Sequence, residues 1–167
     1  MKLHRNLRYI LISGIFLLSA CSASAPAPET ISVETEKETV TETETQEEED
    51  MEFRIDETVV EVRWEQNASV EALRQLCKDA PVVIDMEMYG GFEQVGALGQ
   101  RIARNDAQTV TEAGDIVLYS GDQIVVFYGS NSWAYTRLGH ITDRTPEELR
   151  QLLGNGNVRI TIGKGSE

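Results

Sequence analysis

Asp115-Ile-Val-Leu-Tyr119, Ser120-Gly-Asp122 and Gln123-Ile-Val-Val-Phe-Tyr128 are the segments that decide the fold class. Two runs rich in β-branched and aromatic residues flank a short turn containing glycine, which is the pattern of a β-hairpin.

Outward from this hairpin the strand signals continue. Phe53, Ile55, Val60, Val62 and Trp64 alternate with charged residues around an Asp56-Glu57 turn, which predicts an opening hairpin. Val82–Met88, Trp133–Ile141 and Val158–Ile162 complete the strands. Two helices interrupt. The first has Asn67 or Ser69 as its cap and an apolar stripe of Val70, Leu73, Leu76 and Cys77. The second has Thr145 as N-cap, Pro146 at N1, Glu148 at N3, apolar Leu149, Leu152 and Leu153, and Gly154 as C-cap, a capping box with proline inside and glycine outside. The expected class is β-rich α+β: a closed or nearly closed barrel of about eight strands with two covering helices.

The first fifty residues have a different character. Lys2, Arg5 and Arg8 precede the apolar run Tyr9–Leu18, and Leu18-Ser19-Ala20-Cys21 follows. A basic start, an apolar core and small residues predict a signal peptide over 1–20. Its apolar run falls short of the roughly 20 residues that span a bilayer. The Leu-Ser-Ala-Cys ending resembles the lipobox of bacterial lipoproteins, which implies acylation of Cys21, cleavage before it, and a lipid-anchored protein facing outside the cytoplasm. Residues 21–50 hold ten acids against Lys37 alone and almost nothing apolar. Such a segment cannot bury a core and is expected to be a disordered, acidic Thr/Glu-rich stalk. Stretched, it would reach about 100 Å, and as a flexible coil nearer 30 Å. Residues 51–167 are then the folded domain.

Several function classes are excluded. The net charge is −13 and no basic stripe interrupts it, which argues against nucleic-acid binding. With Cys21 acylated, Cys77 has no partner, and on an apolar helix face it reads as a small buried hydrophobe. One histidine, His140, remains after the signal, too few for a usual zinc set, and no cofactor motif appears. Gly129-Ser-Asn-Ser-Trp133 lacks the second glycine of a nucleophile elbow, and Gly154-Asn-Gly-Asn157 leads into a strand rather than a phosphate-binding helix. His140 has no evident partner in the sequence and reads as structural.

Glu87-Met-Tyr-Gly-Gly-Phe-Glu-Gln-Val-Gly96, Arg104-Asn-Asp106, Gly114–Tyr119, Val125-Val-Phe-Tyr-Gly129 and Ser132-Trp-Ala-Tyr-Thr-Arg-Leu-Gly-His-Ile141 together resemble the cyclophilin-like proteins, small bacterial domains with the cyclophilin barrel and largely unassigned function. The resemblance spans nearly all of 51–167. True cyclophilins are peptidyl-prolyl isomerases, in which an arginine on a barrel strand polarises the prolyl amide and weakens the bond behind its barrier of roughly 20 kcal/mol. By chain order the matching strand here is about Val82–Met88, which carries Asp85 and Glu87 and no arginine.

Tyr89, Phe92, Arg104, Tyr128, Trp133, Tyr135 and Arg137 gather in the resembling segments. Burial tendencies alone assign about half of them to core and strand-edge packing. As a set they form the candidate ligand-binding residues of a groove for an extended peptide or a small anionic ligand. The expected function is a membrane-anchored extracytoplasmic binding module without catalysis. Peptidyl-prolyl isomerisation of secreted proteins is the alternative.

Overall fold

Alternation of apolar and charged residues builds the start of the domain. In the computed structural model, which describes residues 51–165, Met51, Phe53 and Ile55 of β1 (Met51–Ile55) are buried while Glu52 and Arg54 stay half-exposed. The segments read as signal (1–20), lipidation site Cys21 and stalk (21–50) lie outside the described residues. After β1 come β2 (Thr58–Val60) and β3 (Val62–Trp64), separated only by Glu61. Helix α1 (Ala68–Cys77) begins at Asn67, whose Oδ1 accepts from the N–H groups of Ser69 and Val70 at 3.0 Å each. Asn67 is therefore the cap, and Ser69, the second residue of the helix, is buried. Burial pushes the Cys77 thiol up from its ordinary value, in keeping with a small core hydrophobe.

Then follow β4 (Val82–Tyr89), β5 (Glu93–Ala97), β6 (Ala107–Val110), β7 (Asp115–Tyr119), β8 (Gln123–Phe127), β9 (Ser132–Ile141), α2 (Pro146–Leu153) and β10 (Val158–Lys164). The mainly β class holds, and among the described residues the strands number ten rather than about eight. Sequence reading missed β5 and β6 and ran β2 and β3 together as one strand. Strand β5 reads Glu-Gln-Val-Gly-Ala, with a glycine where packing is tightest, and β6 is exposed except at Thr109. A Cβ on Gly96 would run into Ile84 and Met86, so only glycine lets β5 lie this close to β4. The β7–β8 turn has Ser120 and Gly121 at φ 53° and 85°, the values of a type I′ hairpin turn. Helix α2 carries the full capping box, but Gly154 ends it at φ −98°. Glycine is needed there because a Cβ would meet the Arg150 carbonyl oxygen at 2.6 Å.

The strands form one path, β2-β1-β10-β4-β5-β8-β7-β9-β3, with β6 added on β9. The two ends of the path, β2 and β3, are consecutive in the chain. The barrel is thus nearly closed, and its seam is bridged by the backbone at Glu61, whose carbonyl oxygen accepts from the Thr142 N–H at 2.9 Å. Among the described residues no helix is long and apolar enough to cross a membrane.

Two apolar clusters follow from strand pleating. Ile116, Leu118, Ile124 and Val126 face inward with Phe53, Ile84, Leu138 and Ile160, and α1 and α2 contribute Leu73, Leu149 and Leu153. The alternate residues Val117, Val125 and Phe127 face outward and are covered by Tyr135, with Phe92, Val95 and Tyr119 packed beside them. The hairpin is apolar on both faces because each face has its own cluster. Gln94, fully buried, fastens β5 to the end of α2 by donating to the carbonyl oxygens of Leu153 at 2.6 Å and Gly156 at 2.7 Å.

Candidate functional site

The outward cluster is the base of a cavity of about 600 Å³ on the outer face of β4, β5, β8 and β7. Strand alternation selects its residues. On β4, Ile84 and Met86 point into the core, so Asp85, Glu87 and Tyr89 point out into the cavity. On β5, Gln94 is turned inward, which directs Glu93 and Val95 outward. Val125 supplies more apolar base, Tyr119 and Tyr135 stand beside it, and Trp133 and Asn131 complete the lining from β9 and the loop before it.

Exposure orders these groups by depth. Tyr89 and Trp133 are 67% and 57% exposed and form a rim, whereas Tyr135 and Glu93 are buried. The Tyr119 and Tyr135 rings meet edge-on with centroids 6.0 Å apart, and Phe127 supports Tyr135 from the other side at 5.7 Å. Asn131 donates to the Tyr135 hydroxyl at 3.0 Å, leaving that hydroxyl its own proton to donate.

Glu93 is the unusual member. It is 5% exposed, and its Oε2 is enclosed with no hydrogen-bond partner. Removal from water without compensation disfavours the carboxylate, and its pKa is pushed up to about 7. Burial, followed by the charge of Glu93, in turn raises the ionisation of Tyr128 and Tyr135. Among the described residues no lysine or arginine belongs to the lining, whose charged groups are Asp85, Glu87 and Glu93. Asp85 is engaged from outside by Arg159, Nε to Oδ1 at 2.7 Å.

Of the seven residues predicted to share a groove, the structure brings Tyr89, Trp133 and Tyr135 to the cavity. Phe92 packs into the outward cluster and Tyr128 lies in the main core. The two arginines are elsewhere. Arg104 pairs with Asp106 at 3.2 Å, and Arg137 donates to Asp115 Oδ2 at 3.0 Å and to the Val110 carbonyl oxygen at 3.1 Å. Asp115 also accepts from the Glu112 N–H at 3.0 Å and bonds His140 Nδ1 at 2.9 Å. His140 therefore has a carboxylate partner that its sequence position did not disclose. Glu112, Asp115 and His140 bring three potential metal ligands within 4.8 Å of one another, but the Arg137 guanidinium already occupies the charge of Asp115. That arrangement ties β7 to β9 at the bulge where Val117 pairs with Arg137.

Residues 53–163 match the cyclophilin-like family. The chain belongs to that family. No curated protein and no solved structure matches it. Within this cyclophilin-like barrel, the strand that chain order sets against the arginine-bearing strand of the isomerases is β4, and it presents Asp85 and Glu87 to the cavity. Sequence reading missed Glu93 and Tyr119. The available signal for Glu93 was its register: two residues from Val95, it shares the face of an apolar strand residue.

Proposed function

We propose that this protein is a lipid-anchored, extracytoplasmic, cyclophilin-like binding module that holds a peptide or small ligand without transforming it. The observation that carries this reading is the composition of the cavity. It has aromatic faces, an apolar base and three carboxylates, and it lacks the guanidinium that polarises a prolyl amide in the isomerases the fold resembles. Fold likeness alone would favour isomerase activity, but activity resides in the site rather than the barrel. A protease-coupled proline-peptide assay with the full chain at micromolar concentration separates the two. Background rates are expected. Turnover that disappears in Arg104→Ala or Arg137→Ala would replace this reading with the isomerase one.

The anchor rests on Leu18-Ser19-Ala20-Cys21. An acidic segment adds nothing to adhesion on an anionic bilayer, so the acyl chains supply it, at about 0.8 kcal/mol per buried methylene. Cys21→Ala is expected to move the protein out of the membrane fraction, or to block its processing, with the fold of residues 51–165 unchanged. Fractionation and the mass of the mature N-terminus give the answer. A parent protein that is soluble, or that begins anywhere but at an acylated Cys21, would refute the anchor.

A further inference from the structure

We propose that the cavity is a receptor for an organic cation: an ammonium or guanidinium group, on a small amine or on a lysine or arginine side chain of an extended peptide, seated against Glu93 between aromatic faces. The proposal rests on the binding-module reading above and replaces the small anionic ligand with its opposite.

Three independent observations converge. First, Glu93 is nine-tenths buried or more and lines the cavity, and among the described residues nothing donates to its enclosed Oε2. A carboxyl so poorly compensated by its own protein gains most from a cationic N–H group, which gives a charge-assisted bond. Second, Tyr89, Tyr119, Trp133 and Tyr135 line the same cavity, and the faces of such rings attract ammonium and guanidinium groups. Third, among the described residues no arginine or lysine lines the cavity, and Glu87 adds a second carboxylate. With Asp85 already paired to Arg159, an anion would meet the like charge of Glu87 and of ionised Glu93. At about 600 Å³ the space exceeds one amine, and the remainder suits the backbone of a peptide or the body of a larger amine.

Proton linkage gives the site a signature. The titratable groups facing Glu93 are Asp85, Glu87 and Tyr89 from β4, Tyr119 from β7, Tyr128 after β8 and Tyr135 from β9. With Glu93 titrating at about 7, a cation that binds only its ionised form must displace a proton at lower pH. Affinity should rise about tenfold from pH 6 to pH 8.

The test is calorimetric titration of the full chain in non-ionic detergent at physiological ionic strength. The probes are agmatine, spermidine, a lysine-bearing tripeptide, its norleucine isostere and citrate. The expected result is saturable, one-to-one binding of the cations that strengthens with pH, weakens about tenfold or more in Glu93→Gln and loses its pH dependence there. Trp133→Ala, at an exposed rim position, should weaken binding with melting temperature unchanged. Preference for the tripeptide over agmatine would assign the source to a peptide, and the reverse to a free amine. Equal binding of the norleucine isostere, tighter binding of citrate, or an unaltered Glu93→Gln variant overturns the cation proposal while leaving a binding module standing. Failure of every probe overturns both.

Discussion

Glu93→Gln should make the folded domain more stable by about 3 kcal/mol at pH 8.5, and by less than about 1 kcal/mol at pH 5. The reason is the position of the carboxyl. In the unfolded chain Glu93 ionises near its ordinary value of 4.5, whereas in the barrel it ionises at about 7. Between those values the folded state holds a proton that the unfolded state has released. The neutral folded form is lost as pH rises through 7, and stability falls with it. Glutamine is neutral throughout and nearly isosteric, so it escapes the penalty. Urea unfolding of both proteins across this range, read as the difference between them, cancels the other carboxylates. A difference that stays constant with pH would show that Glu93 is not the linked group. Together with the expected loss of cation binding, this would make the residue costly to the fold and necessary to the ligand, a frequent trade at binding sites.

Asp115→Ala is expected to cost about 3 kcal/mol, and Arg137→Ala only about 1 kcal/mol. Asp115 is 2% exposed and answers three donors at once: Arg137 Nη1, the Glu112 N–H and His140 Nδ1. Removing it leaves the turn before β7 without its acceptor and strands two partners from β9. Arg137 is different, with 43% of its side chain exposed, so water can replace much of what it loses. Chemical denaturation at pH 7.5 measures both. Equal costs for the two variants would mean that the carboxylate is not the centre of the network.

Legibility in the sequence followed local chemistry. The β7–β8 hairpin announced itself through Ser120-Gly121 and two apolar runs, and α2 through Thr145, Pro146 and Glu148, because turns and caps are made by residues close together in the chain. Strands β5 and β6 were missed because their place depends on partners far away. Gly96 reads as a weak strand residue until Ile84 and Met86 are seen pressing on it. The site divided the same way. Aromatic residues at Tyr89, Trp133 and Tyr135 stood out by type, whereas nothing in Phe92-Glu93-Gln94 says that the glutamate is the buried one. Arg137 was legible as an arginine beside a tyrosine, but its commitment to Asp115 arises from a pairing between residues 22 apart in the chain.

The strand order has a consequence for timing. Strand β10 lies between β1 and β4, so the last of the described strands is the one that joins the first to the fourth. Until Val158–Lys164 has left the ribosome, β1 has only β2 to pair with, and a two-stranded hairpin is marginal in water. The sheet stays split until β10 is made, because its closure waits on contacts between opposite ends of the domain. A polypeptide threaded through a narrow translocation channel must remain unfolded while it passes. This topology postpones closure of the barrel until β10 has been made, which suits the export proposed for it.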